Sequence, residues 1–384
     1  MSDSALPALP KVRPIYDVMY LEGRIRMGSG PAYASEIEDP DGRWATLVRL
    51  LDGSRSIARL QGELDGRLSA DEVLEGVGTL HEAGFLEDGG TNPPQELTAD
   101  DLRRYAPNLN FFRTRASASE DFHAPQVVLK NTRVLVLGMG GIGTNVCMAL
   151  AELGIGSITG LDFDRVELSN LNRQVLYSTP AVGRPKVDVA AERMARFNPD
   201  IEFDTIERRL TSLSDVEAVI DAAAPDFVFC LADKPNGWID FWVNEACVKR
   251  RIPYTAGSIS AHLGTAYSVV PGQGPCYQCI VDGETAEHAE FAEILEYVRI
   301  HDLDSSNGAL GPACMFLGYF LSYELLRERL GFGPVLASGK LLEIDFVTFQ
   351  QQWHTTVRRP DCPVCRTAVP ATPASPEPLD EPRG

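Results

Sequence analysis

Two clusters of residues in this 384-residue chain have the types and spacing to do chemistry. The first is Gly138-Met139-Gly140-Gly141-Ile142-Gly143, directly after the apolar run Val134–Leu137. A helix-like segment to Leu153 follows, then a second apolar run, Ser157–Leu161, ending on Asp162. Strand, glycine turn, helix, strand and acid, in that order, form a dinucleotide-binding pattern. The glycines admit a tight turn and close backbone approach, the helix N-terminus offers free N–H groups, and the acid can accept from ribose hydroxyls. Asp164, Asn170, Arg173, Gln174 and Lys186 lie just beyond. An Arg and a Lys there suit a triphosphate better than a nicotinamide, so the expected nucleotide is ATP. Close helix–strand packing is the other use of such glycines, and Gly143 is expected to serve it.

The second cluster is Cys276-x-x-Cys279 with Cys362-x-x-Cys365. Four thiolates can close a tetrahedral Zn²⁺ shell, leaving no open position, so the site would be structural. Free or redox-active pairs are the alternative. Cys147, Cys230, Cys247 and Cys314 stand singly in apolar contexts that suit a small buried hydrophobe.

The run from Val134 to Lys186 resembles the adenylating domain of the ThiF and MoeB sulfur-carrier activators, the ubiquitin-activating enzymes and the microcin-C-forming peptide adenylyltransferase. The likeness extends over about residues 100 to 366. It implies activation of a peptide or protein carboxylate as an acyl adenylate. Asn170, Arg173 and Gln174 match the family's Asn-x-x-Arg-Gln stretch, and Arg173 and Lys186 would hold the phosphates. Asp233, after the apolar strand Phe227–Leu231, matches the Mg²⁺-binding aspartate, although Ala232-Asp233-Lys234 replaces the usual Thr-Asp-Asn. Growing charge on departing pyrophosphate calls for such fixed cations and a metal. The implied catalytic residues are therefore Arg173, Lys186 and Asp233. Those around the nucleotide are Gly138, Gly140, Gly141, Gly143, Asp162, Asp164, Asn170, Arg173, Gln174 and Lys186.

Two departures narrow the resemblance. The crossover stretch Ile300–Gly308 contains no cysteine, whereas sulfur-carrier and ubiquitin activators use one there. The microcin-C-forming type shares this lack, and Asn108–Phe112 also looks like that subgroup. Arg104-Tyr105-Ala106-Pro107 places proline where the family's trans-acting arginine stands. Arg103, Arg104, Arg113 and Arg115 remain as substitutes. The family also implies a homodimer, with Gly311–Leu326 and Leu109–Phe112 as candidate buried or interface surfaces.

The elements that must position these residues follow from pattern. The expected fold class is α/β, a Rossmann-like ThiF-type adenylation domain over 98–366, preceded by a small winged-helix-like α+β domain over 14–88. In the latter, Val18–Leu21 and Arg24–Met27 read as a hairpin. Arg43–Leu51, Ser56–Leu64 and Ser69–Ala83 read as helices, and Phe85-Leu86 as a returning strand. Asp71, Glu72, Glu75 and Glu82 leave the third helix without Lys or Arg, which disfavours phosphate contacts to DNA. The unit looks like the PqqD-type leader-peptide recognition element, where a peptide adds to a sheet edge. Residues 1–13 are expected to be flexible, 89–97 a linker and 367–384 a disordered tail.

A net charge of −19 argues against a nucleic-acid partner. It suits a basic peptide, or solubility alone. No eighteen-residue apolar run or signal-like N-terminus occurs, which points to a cytoplasmic protein without a membrane partner. The leading reading is ATP-dependent adenylation of a ribosomal precursor peptide, with Mg²⁺ and a structural Zn²⁺. A nitrogen nucleophile would then take the adenylate to an amide, cyclic imide or phosphoramidate. Activation of a ubiquitin-like sulfur carrier, or a non-catalytic leader carrier for a cyclodehydratase, are the alternatives.

Overall fold

The computed structural model describes residues 6–30, 34–116, 120–301 and 308–367. The chain divides into two compact units, Met1–Val127 and Val128–Gly384.

In the first unit, β1 (Pro10–Val12) precedes β2 (Val18–Leu21), β3 (Arg24–Met27) and β4 (Ser35–Glu38). Helices α1 (Arg43–Leu50), α2 (Ile57–Glu63) and α3 (Ala70–Glu82) and strand β5 (Leu86–Asp88) follow. The start of α3 is set by a reciprocal capping box between Ser69 and Glu72, which satisfies two otherwise orphaned N–H groups. Ile25, Met27, Leu47, Leu60, Val73 and Val77 form the buried centre, one face from each element. Strands β2, β3 and β4 make an antiparallel sheet in that order.

Flexibility through residue 13 is not what the described residues show from Pro10 onward. Pro10–Val12 pair antiparallel with Leu86–Asp88. The buried Arg13 side chain donates to the carbonyls of Leu86, Arg113 and Ala116, at 3.1, 2.9 and 3.0 Å. Long-range hydrogen bonds anchor this segment, and local composition carries no trace of them. Strand β4 was likewise unexpected; its Ser-Glu-Ile-Glu sequence has a single apolar residue. Helices α4 (Ala99–Arg104) and α5 (Ala106–Arg115) complete the unit, with α6 (Ala124–Lys130) at its boundary. Leu109 and Phe112 of α5 are buried, while Phe111 is exposed.

The second unit is the expected α/β architecture. Strand β6 (Arg133–Leu137) leads to α7 (Gly141–Leu153) and β7 (Ser157–Asp162), then α8 (Lys186–Phe197) and β8 (Glu202–Glu207). Helix α9 (Leu213–Ala223) returns the chain to β9 (Phe227–Cys230), α10 (Ile239–Arg250), β10 (Tyr254–Ser260) and β11 (Leu263–Val269). Helices α11 (Tyr277–Glu287), α12 (Ala289–His301) and α13 (Gly311–Leu330) precede the closing strands β12 (Lys340–Asp345) and β13 (Gln351–Thr355). The described sheet runs β13-β12-β11-β10-β9-β6-β7-β8. It is parallel from β10 to β8 and antiparallel beyond.

Helices cover the central strands, which explains why Val134–Leu137 and Phe227–Cys230 are continuous apolar runs rather than alternating ones. From β6 the chain moves outward through β7 and β8, then crosses back to β9 on the other side of β6. Such a reversal opens a crevice at the carboxyl ends of the strands, where ligands of open α/β sheets bind. No described helix is long and apolar enough to cross a membrane. The expected disordered tail lies almost wholly outside the described residues, as does most of the cysteine-free crossover stretch.

Candidate active site

The crevice is a cavity of about 710 Å³. Gly138, Gly140, Gly141, Asp162, Asp164, Asn170, Arg173, Gln174, Lys186 and Asp233 all line it. Of the residues expected around the nucleotide, only Gly143 does not.

Gly143 has another task. A Cβ there would stand 2.0 Å from the carbonyl oxygen of Gly138, so the first turn of α7 can seat against the strand end only without a side chain. Gly138 has φ of 91°, and a Cβ on it would meet the Leu231 carbonyl oxygen at 2.6 Å. The turn after β6 therefore presses on the end of β9. Nothing lies within 4 Å of a Cβ built on Gly140, whose backbone faces open space.

Asp162 ends β7 and is buried. One of its oxygens accepts the Met139 N–H and the other the Asp164 N–H, both at 2.8 Å. The acid thus fixes the glycine turn from below. Each carboxylate oxygen can accept a second hydrogen bond, so both stay available to a ribose hydroxyl. Tyr177, which the sequence pattern did not single out, donates its hydroxyl to the Met139 carbonyl at 3.0 Å.

Lys186, at the start of α8, is buried and salt-bridged to Asp164 at 2.9 Å, with Asp162 at 3.8 Å. Arg173 donates to the Ser169 carbonyl and the Asn172 side chain at 3.1 and 3.0 Å. Asn170 spends its side-chain oxygen on the Glu167 N–H at 3.0 Å, closing the loop that carries Arg173. Gln174 is buried, and its side-chain oxygen has no partner among the described residues. A buried acceptor costs about 1–3 kcal/mol unless a donor meets it, which fits a site completed by a ligand.

Asp233 follows β9 and is exposed on the cavity wall. One or two carboxylates plus phosphate oxygens suffice for Mg²⁺, and Asp233 supplies one. Of the arginines considered in place of Pro107, Arg113 is salt-bridged to Glu87 at 3.0 Å and Arg103 is paired with Asp100.

The cysteine pairs converge although 86 positions separate their members. Cys276, Cys279, Cys362 and Cys365 are all buried, with sulfurs within 4.8 Å of one another. Cys276–Cys362 and Cys279–Cys365 stand at 3.7 and 3.6 Å. Thiolates at about 2.3 Å from a tetrahedral Zn²⁺ would lie about 3.8 Å apart, so the four sulfurs fit that ion. Burial pushes the Cys279 thiol up to about 11, a cost that a bound cation would offset. The single cysteines Cys147, Cys230, Cys247 and Cys314 are buried, as expected.

Beyond Asp233 the cavity is lined by residues that the sequence reading passed over: Asp240, Ser258, Thr265, Tyr267 and Tyr277. Only an acid in the aromatic run Trp238-Ile239-Asp240-Phe241-Trp242 hinted at them.

Fold and cavity define a class: an α/β nucleotide-binding enzyme with a cavity at the sheet's reversal and a buried tetracysteine centre. The chain belongs to the ThiF family, whose profile matches residues 105–364, and it is an adenylyltransferase. It is 33% identical over 244 residues to the molybdopterin-synthase adenylyltransferase of Escherichia coli (strain K12), covering 62% of this chain and 89% of that one. It is 34% identical over 239 residues to the SAMP-activating enzyme E1 of Haloferax volcanii, covering 62% and 81%. Among solved structures it resembles E. coli MccB with MccA-N7isoASN, with a TM-score of 0.71, 22% identity and coverage of 93% and 99%. It also resembles PaaA, with a TM-score of 0.72, 20% identity and coverage of 90% and 100%.

Proposed function

We propose that this enzyme adenylates a carboxylate of a ribosomally made precursor peptide. The observation that carries the reading is the pairing, in one chain, of a cavity lined by the expected nucleotide residues with a first unit whose sheet edges suit an extended peptide. That unit offers edge strands β2 and β4 and an α3 whose Leu74 is 44% exposed. Backbone pairing along an edge gives affinity, and side-chain pockets give selectivity. The MccB structures include complexes with MccA, a peptide in that protein's case.

In this reading ATP lies over the Gly138–Gly143 turn, with Asp162 at the ribose. A peptide carboxylate oxygen attacks the α-phosphorus, and the bond to pyrophosphate breaks. Arg173 neutralises charge on the leaving group, and Lys186 does so by turning from Asp164. Asp233 holds Mg²⁺, which supplies further positive charge to the phosphates. Cys276, Cys279, Cys362 and Cys365 hold Zn²⁺, which ties the end of the unit to its middle and takes no part in the reaction. The peptide reading is favoured over sulfur-carrier activation because Ile300–Gly308 lacks a cysteine to receive an acyl or sulfur group.

A second copy of the chain is proposed to cover the apolar surface of α13. Met315, Phe316 and Tyr323 are exposed there, and Phe316 packs edge-on against Phe346 and Phe349.

The test is pyrophosphate exchange driven by the precursor peptide encoded nearest the gene, against a ubiquitin-like sulfur carrier. Exchange with the peptide is expected, with a loss of about 10²–10³-fold in Asp233→Ala, the scale for removing one transition-state charge contact. Leu74→Asp is expected to raise the peptide KM and leave kcat unchanged. Exchange with the sulfur carrier alone would overturn the reading.

A further inference from the structure

The cavity lining combines two chemistries. Arg173 and Lys186 line it, and so do the carboxylate of Asp240 and the aromatic side chains of Tyr267 and Tyr277. Asp240 sits in the first turn of α10. Its Oδ1 accepts the Tyr267 hydroxyl at 2.8 Å and, weakly, the Cys230 thiol at 3.8 Å. Among the described residues no ion pair reaches it. Tyr267 and Tyr277 stack beside it, with ring centroids 4.9 Å apart and planes 18° apart, and Phe241 meets Tyr277 edge-on at 5.0 Å.

Asp240 helps to start α10, because a negative charge is favoured in the first turn of a helix. An acid at the helix start does not have to line a cavity, however. Here it lines the cavity together with both stacked tyrosines, and Glu284 adds a second acid. Lys234 also lines the cavity, adjoining Asp233 in sequence. Aromatic faces attract cations through their quadrupole, and a neighbouring carboxylate adds direct charge attraction that low dielectric strengthens.

We propose that Asp240, Tyr267 and Tyr277 form a subsite for a cationic side chain, lysine or arginine, on the peptide residue at or next to the carboxylate to be adenylated. The inference rests on the peptide reading for what the carboxylate is, and on the cavity alone for the cation. Burial raises the Asp240 carboxyl above its usual range. An ammonium or guanidinium beside it would draw it down again and hold it charged. A chain of net charge −19 would also attract a basic peptide at long range. The subsite would then discriminate locally, since a carboxylate side chain there would meet Asp240 and an alkyl one would leave it unpaired.

The experiment is calorimetric titration of the full chain, loaded with Mg²⁺ and a non-hydrolysable ATP analogue. The ligands are Nα-acetyl-lysine, Nα-acetyl-arginine, Nα-acetyl-alanine and Nα-acetyl-glutamate, each with a free carboxylate. The two cationic ligands are expected to bind at least about ten-fold more tightly than the other two, the scale of one desolvated cation–π and charge contact. Asp240→Asn should remove that preference, with affinity for the ATP analogue as the control for folding. Tyr267→Phe should weaken it, because Asp240 loses its positioning donor. Equal affinities, a preference for glutamate, no binding of the cationic ligands, or a preference that survives in Asp240→Asn would overturn the proposal. If Asp240→Asn does not hold nucleotide, the wild-type series decides by itself. Pyrophosphate exchange separates the two readings. A cation preference without peptide-driven exchange would sink the peptide reading and leave the subsite standing, and exchange without a cation preference would do the reverse.

Discussion

The Asp162 carboxylate accepts the backbone N–H of Met139 at 2.8 Å, so the acid at the end of one strand holds the glycine turn at the end of its neighbour. A residue expected from sequence to contact ribose is therefore a structural clamp in the fold. Hydrogen bonds to charged groups contribute about 1.5–3 kcal/mol. Asp162→Ala is expected to weaken ATP binding by about ten-fold or more, since 1.4 kcal/mol corresponds to a factor of ten. Asp162→Asn keeps one acceptor and should lose less. Calorimetric ATP titrations would show this, and an unchanged affinity in Asp162→Ala would refute both roles.

Gly143→Ala should cost stability rather than chemistry. The added Cβ would stand 2.0 Å from the Gly138 oxygen, which is backbone and cannot swing aside. Overpacking of this kind costs about 1–3 kcal/mol and occasionally more. A fall in Tm together with weaker nucleotide binding is expected. A variant as stable as wild type would mean that the turn is looser than described.

Metal analysis should return about one Zn²⁺ per chain, from the four-thiolate stoichiometry. Cys362→Ser/Cys365→Ser should lose it and fall in Tm, because the site joins segments 86 positions apart. Zinc retained in that variant would place the ion elsewhere.

His81 gives the first unit an acid sensitivity. It is buried, and among the described residues neither ring nitrogen has a partner. Burial, and then the charge of Arg13, lower its pKa below the ordinary 6.5. The folded state therefore favours the neutral ring, and the unfolded chain takes up the proton first as pH falls. The contribution is complete above about pH 6.5 and is lost as pH drops below it. Between pH 7.5 and 5.5 the Tm of wild type should fall more than that of His81→Leu. Parallel curves would show that His81 does not titrate in this way.

The sequence by itself determined the parts governed by local pattern. Continuous apolar runs marked the buried parallel strands, the Gly138–Gly143 spacing marked the turn, and the paired cysteines marked a four-sulfur centre. All of these depend on neighbours within a few residues, or on side chains with few alternative uses. Only the tertiary structure decided what long-range contacts create. Pro10–Val12 became a strand because Leu86–Asp88 offered an edge and Arg13 found three carbonyls. The packing role expected of Gly143 is enforced by the fold, because the Gly138 carbonyl lies beneath it. Asp240 came to share one cavity with Arg173 and Lys186 through the crossing of β9 to the far side of β6. No residue pattern along the chain encodes which side chains such a crossing brings together, because their meeting depends on strand order, and strand order is fixed only when the sheet packs.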